Sequence, residues 1–245
     1  MKLYSIFFAL CLLLFGTSVA FAHKPIFVDP RSNLTRETAI RIADPGVSWA
    51  VYAQLSEAGE VDYYTFAGKR GMKVEIAMSV PKIEATRDFG VVVALAGRSI
   101  NGGDLPSPMV LREGEGFVSA PDSAHDETKL FNEDFTGTVY WTRQTLRATL
   151  AADELYTIAV FNDRGKTGKY VLAIGEREEF GVQDLLDFPN VRARVQQWFE
   201  HPLEGVQVTP AAAPAQGREN NSVPIIGLAL AAAVGLGFVV LRRRR

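Results

Sequence analysis

Three histidines stand in the 245-residue chain, at positions 23, 125 and 201. The first is the one whose setting suggests chemistry. Ala20-Phe21-Ala22 is an A-x-A cleavage pattern, so processing after Ala22 makes His23 the first residue of the mature protein. A terminal histidine can chelate copper through its α-amine and imidazole, and a second imidazole completes a T-shaped three-nitrogen site. His125 is the better partner because it lies within the folded region. A second metal chemistry lies around it. Asp122, His125, Asp126, Glu127, Glu133 and Asp134 crowd into a short acidic stretch. Calcium takes carboxylate and carbonyl oxygens of this kind, although no D-x-[DN]-x-[DN]-G loop is present. The expected metal ligands are therefore His23, His125, Asp122 and Asp126, for copper or for calcium. Ser123, His125 and Asp126 supply the residue types of a hydrolytic triad, but sequence neighbours seldom converge as one. There is no G-x-S-x-G, P-loop or dinucleotide fingerprint. An unrecognised hydrolase remains a reading with no motif behind it, and no catalytic residue is assigned. Trp49, Tyr140 and Trp141 could stack on a glycan if exposed, and would be core if not.

The ends of the chain say where such residues work. Lys2, the apolar run Ile6 to Phe15 and the A-x-A pattern read as a signal peptide over 1–22. The single cysteine, Cys11, lies inside it, so the mature chain has no thiol. Val223 to Leu241 carries no charge, and nineteen residues reach roughly 28 Å as a helix, the thickness of a bilayer core. Arg242 to Arg245 follow and hold the C-terminus on the cytoplasmic side. The expectation is a single-pass type I protein of the cell membrane, its domain extracytoplasmic. The formal charge of −2 hides this division. Between His23 and Leu241 there are 21 Lys and Arg against 28 Asp and Glu, a net of −7. An acidic exterior argues against nucleic acid as a partner.

What positions the candidate residues is mainly β structure. Val47–Ala53, Val61–Phe66, Met72–Met78, Gly90–Leu95, Gly116–Ser119, Gly137–Thr142, Gln144–Leu150, Leu155–Asn162 and Lys169–Gly175 are β-branched, aromatic or alternating segments. Turn residues separate them, as at Ala58-Gly59 and Asn162-Asp163-Arg164-Gly165. Many short strands with few helical patterns predict an antiparallel β-sandwich or jelly roll over 23–178. An amphipathic helical segment packed on it follows at 179–204. Val191, Val195, Trp198 and Phe199 form its apolar face, Asp187 and Pro189 its start, and Val182, Leu185 and Leu186 a preceding short turn. Residues 205–222, with Pro210, Pro214 and Gly217, read as a flexible stalk.

Gly59-Glu60-Val61-Asp62-Tyr63-Tyr64-Thr65-Phe66, then Gly71 and an alternating strand, resembles the pre-peptidase C-terminal (PPC) type of secreted bacterial β-sandwich. The hairpin from Leu155 to Phe161, followed by Gly168-Lys169-Tyr170-Val171-Leu172, is similar to that family's last hairpin. The resemblance covers about half of the ectodomain and implies a sandwich fold, a turn-forming role for Asp62, and an accessory binding role, in some members with calcium. The chain departs from the pattern by lacking an attached catalytic domain and by an acidic insertion between about Gly102 and Asp134. The expected function is a membrane-anchored extracytoplasmic binding module of the cell envelope, its ligand unspecified. Binding would use sandwich loops, chiefly Asp104 to Asp134. A glycan or an envelope protein is the kind of partner it would meet. A metal-binding protein is the second reading.

Overall fold

The computed structural model describes residues 23–103, 108–123 and 129–202. Eleven strands, a single 3-10 turn at Glu84–Thr86 and one helix make up these residues. The strands are β1 (Lys24–Phe27), β2 (Ile40–Arg41), β3 (Trp49–Leu55), β4 (Val61–Gly68), β5 (Lys73–Pro81) and β6 (Val92–Gly97). They continue as β7 (Gly116–Ala120), β8 (Leu130–Glu133), β9 (Thr138–Thr149), β10 (Glu154–Phe161) and β11 (Gly168–Ile174), and helix α1 is Val182–Glu200.

Two mixed sheets result. One runs β1-β3-β11-β5-β9-β8, the other β2-β4-β10-β6-β7. Every neighbouring pair is antiparallel except β1 with β3 and β2 with β4, where the N-terminal segment adds a parallel strand to an edge of each sheet. The sequence anticipated the central strands because each carries the apolar pattern of a buried position. It missed β1, β2 and β8, which are short edge strands. Their pairing comes from their neighbours and not from their own composition.

The two sheets share one core. Val51 and Leu55 of β3, Ile76 and Met78 of β5 and Leu172 of β11 meet Tyr64 and Phe66 of β4, Leu95 of β6 and Ile158 of β10. All of these are at most 1% exposed. Burying a side chain of this size contributes about 1.5–3 kcal/mol. Polar groups are carried into this core as a connected set. Tyr170 Oη lies 2.7 Å from Tyr64 Oη and donates to Asp62 Oδ2 at 2.5 Å. Asp62 is thus no turn residue. It is the second residue of β4, 1% exposed, and it links the two segments that carry the family resemblance.

Each sheet also has a covered outer face. Val61, Tyr63, Ala94 and Phe161 are covered by Met109 with Leu111 beside it. On the other sheet Ala50, Tyr52, Tyr140 and Val171 receive Val195, Val191, Trp198 and Phe199 of α1.

Three expectations need correcting. The acidic insertion holds more than the one expected strand at Gly116–Ser119, since besides β7 it supplies β8, and the two are outer strands of different sheets. Gly137–Thr142 and Gln144–Leu150 are one strand, β9, whose register against β5 slips between Ala77 and Ser79. The bulge brings Arg143 inside, where its Nη2 donates to Phe89 O at 2.6 Å. The helix begins at Val182 and not at Asp187. Gly181 is its N-cap, with Gly181 N donating to Asp184 Oδ2 at 2.8 Å, and Pro189 sits in its interior. Val182, Leu185 and Leu186 belong to that helix and are exposed. Among the described residues no helix is long and apolar enough to cross a membrane. The segments 1–22 and 223–241, and the stalk between 205 and 222, lie outside the described residues.

Candidate functional site

A row of small side chains crosses the outer face of the six-stranded sheet. Pairing places Pro25 beside Ala50, Ala50 beside Ala173, and Ala173 beside Ala77. The next row on the same face is larger at one end: Phe27, Tyr52 and Val171, then Ser79 and Thr142. A helix laid on such a surface touches it where the side chains are tall and stands clear where they are short. The C-terminal half of α1 therefore docks on the tall row. Tyr52 and Trp198 meet edge to face with centroids 5.1 Å apart, and Tyr140 and Phe199 do so at 5.5 Å. Lys169, 2% exposed, rises from β11 to donate from Nζ to the carbonyls of Trp198 and His201. It thereby puts a cation on the negative end of the helix. The N-terminal half passes over the alanine row, and a cavity of about 600 Å³ lies beneath it.

The walls follow from the elements around this floor. Eight aromatic side chains line the cavity, among them Phe27, Trp49, Tyr52, Phe135, Tyr140 and Phe188. Phe188 of α1 packs against Phe135 of the β8–β9 turn at 5.2 Å and against Phe180 at 5.7 Å, closing one side. Gln196 Nε2 donates to Thr136 O at 2.7 Å and ties the helix to that turn. Gly175 ends the floor. Its φ is 83°, and a Cβ there would lie 2.0 Å from Val47 O, so no larger residue fits.

The polar groups stand at the edges. His23 Nδ1 and Ser48 Oγ share a hydrogen bond of 2.5 Å. Burial lowers the His23 pKa below the usual histidine value, against the opposing pull of Glu133 and Glu178. Ser48 is 5% exposed and is no part of the cavity wall, so the pair fixes the imidazole and presents no nucleophile. Glu133 accepts from Thr136 Oγ1 at 2.8 Å and from Phe135 N at 3.2 Å. Lys24 Nζ lies 3.0 Å from Asp184 Oδ2. Arg147 makes a two-pronged bond to Glu75 at 2.7 and 2.9 Å. Burial pushes the Tyr140 hydroxyl up to about 12 and drives that of Tyr52 higher still, so both stay neutral. The floor and walls of the cavity are thus apolar and aromatic, and the charged groups stand at its rim.

Of the expected metal ligands, the two among the described residues lie apart. His23 lines the helix-covered cavity, whereas Asp122 lines a separate recess with Ser123, Arg143 and Arg164, its Oδ2 bonded to Arg164. His125 and Asp126 lie outside the described residues. Among the described residues no group of three or more His, Cys, Asp and Glu is placed to hold an ion. Of the aromatic residues considered for sugar stacking, Tyr140 and Trp141 are 2% and 3% exposed. Trp49 is half-buried in the cavity wall with its Nε1 donating to Asp44 O at 2.9 Å. Among the described residues of the acidic stretch, Glu133 is the one that faces the cavity. The alanine floor and Lys169 escaped the sequence reading, because each takes its meaning from strand register. No protein-family model matches the chain, and no curated protein matches it.

Proposed function

We propose that the chain is a binding module of the cell envelope, and that the cavity between α1 and the six-stranded sheet receives a small, largely apolar ligand. The carrying observation is the cavity itself. Its volume lies within the about 300–1,000 Å³ usual for small-molecule sites, its walls are aromatic, and its floor is kept open by three alanines in register. On this reading the domain is an antiparallel sandwich of PPC type with two added parallel edge strands. The bond from Tyr170 to Asp62, which joins the two segments of the resemblance, supports that assignment. The signal-like 1–22 and the apolar 223–241 with its four arginines support an extracytoplasmic domain held at the membrane by its C-terminus.

Ala173→Phe tests the reading. A phenyl group on the central floor residue projects into the cavity while leaving the docked half of α1 untouched. An environment-sensitive naphthylamine dye should bind the native chain and lose at least about tenfold in affinity in the variant. The thermal midpoint should stay within a few degrees, since the added ring enters open space. Equal dye affinity in a folded Ala173→Phe variant would show that the cavity is not the binding site.

A further inference from the structure

Building on the cavity reading above, we propose that the ligand is an organic cation, an amine or quaternary ammonium carried on an apolar body. Five carboxylates line the cavity, from Glu75, Glu133, Glu176, Asp184 and Asp187, against two cations, Lys24 and Arg194. Both cations are already engaged. Lys24 pairs with Asp184, and the Arg194 guanidinium stands 4.2 Å from the Phe27 ring centroid. Arg147 neutralises Glu75 from outside the cavity. Among the described residues no Lys or Arg pairs with Glu133, Glu176 or Asp187. The wall therefore keeps an excess of negative charge that its own side chains do not balance.

Glu133 is the best placed of the three. It is half-buried, and the bonds from Thr136 Oγ1 and Phe135 N hold its carboxylate in a fixed position. An anion ready-oriented beside aromatic faces is the arrangement that recognises ammonium groups, through Coulomb attraction and the negative face of the rings. Ring faces around α1 already take cations in this way. Besides Arg194 on Phe27, Lys169 Nζ stands 5.4 Å from the Trp198 centroid. Burial holds the His23 imidazole neutral, whereas the α-ammonium that cleavage after Ala22 would leave on the same residue adds one positive charge, which reduces the carboxylate excess without cancelling it. An anionic guest would meet unpaired carboxylates, and an uncharged one would leave their field unused.

Three probes of one shape separate the terms: a phenylpropyl trimethylammonium, its uncharged analogue with carbon in place of nitrogen, and phenylpropane sulfonate. Each is titrated calorimetrically into the purified full chain, into Ala173→Phe, and into Glu133→Gln combined with Asp187→Asn. The ammonium should bind the native chain about tenfold more tightly than the carbon analogue, with the sulfonate weakest. The double carboxylate change should shrink that preference to about twofold while leaving the carbon analogue unaffected. Asp187→Asn alone, at an exposed position on the cavity rim, serves if the double variant does not fold, and should halve the preference at least. Equal binding of all three probes, or a preference that survives the carboxylate changes, overturns the cation proposal and leaves the cavity reading in place. Failure of every probe to bind, or binding that Ala173→Phe does not weaken, overturns both.

Discussion

At the scale of single residues, the group under greatest tension is Asp62. Its carboxyl is closed off from water, and desolvation raises its pKa to about 7, with the Tyr170 bond pulling the other way. In an unfolded chain the same group titrates near 4. Between those values the folded protein holds a proton that the unfolded chain releases. Stability from this group is therefore complete at the acid end of the window, is lost progressively as pH rises towards about 7, and is constant above it. The full loss is on the order of 4 kcal/mol, from about 1.4 kcal/mol per pKa unit over about three units. Asp62→Asn removes the titration. Urea midpoints measured from pH 5 to pH 8 should fall for the native chain and stay nearly flat for the variant, and parallel curves would disprove the assignment. Tyr170→Phe is the companion change. It leaves Asp62 and Tyr64 without their shared partner and should cost about 1–3 kcal/mol in the same assay. The sequence marks Asp62 and Tyr170 as members of motifs. It does not reveal that they touch, because the strands that carry them belong to different sheets.

At the scale of elements, α1 shows how a helix can be legible as a pattern and obscure as a position. Val191, Val195, Trp198 and Phe199 recur at helical spacing, and they do form the packed face. Pro189 looked like a boundary because proline is tolerated in a first turn and disfavoured inside. The helix runs through it, and the turns before it carry Val182, Leu185 and Leu186 outward. Attachment to the sheet is therefore concentrated at the C-terminal half, where Lys169 joins two helix carbonyls. Lys169→Met keeps the length of the side chain and removes the charge and the donors. Its expected cost is about 1–2 kcal/mol. Hydrogen exchange should report the loss in the last two turns of α1 and hardly at all in β10, whereas uniform loss of protection would show that Lys169 serves the whole core. The strands divide in a comparable way. β10 and β6 are buried along most of their length and can be read directly, while the break seen at Arg143 is a bulge inside one strand and not a turn between two. Alternation reports which face a residue takes, and a bulge reverses the faces without ending the strand. The alanine floor is hidden for a related reason. Ala50, Ala77 and Ala173 are unremarkable along the chain and become a feature only when three strands fix their register.

At the scale of the whole molecule, the charge balance and the cavity bear on one question, the side of the membrane on which binding occurs. The span from His23 to Leu241 carries −7, and the four terminal arginines carry the opposite sign. A cluster of arginines resists transfer across a bilayer, whereas a domain that follows a cleavable leader is exported. The proposed orientation therefore exposes the acidic cavity rim to the medium outside the cytoplasmic membrane, where an organic cation would be met as a free solute. The chain offers a clean test, because its only cysteine, Cys11, falls within the segment expected to be removed. Ser222→Cys and Arg245→Cys each place a single thiol on one side of the apolar run. With intact cells or spheroplasts and a membrane-impermeant maleimide, Ser222→Cys should label directly and Arg245→Cys only after the membrane is opened. Mass spectrometry of the same protein should begin at His23. Labelling of both thiols without permeabilisation would place the C-terminus outside and remove the anchor from the proposed function. Labelling of neither would place the cavity in the cytoplasm, where the charge argument for its orientation no longer applies. The cavity between α1 and the six-stranded sheet would keep its described geometry under either result, since the described residues that line it lie within 23–202.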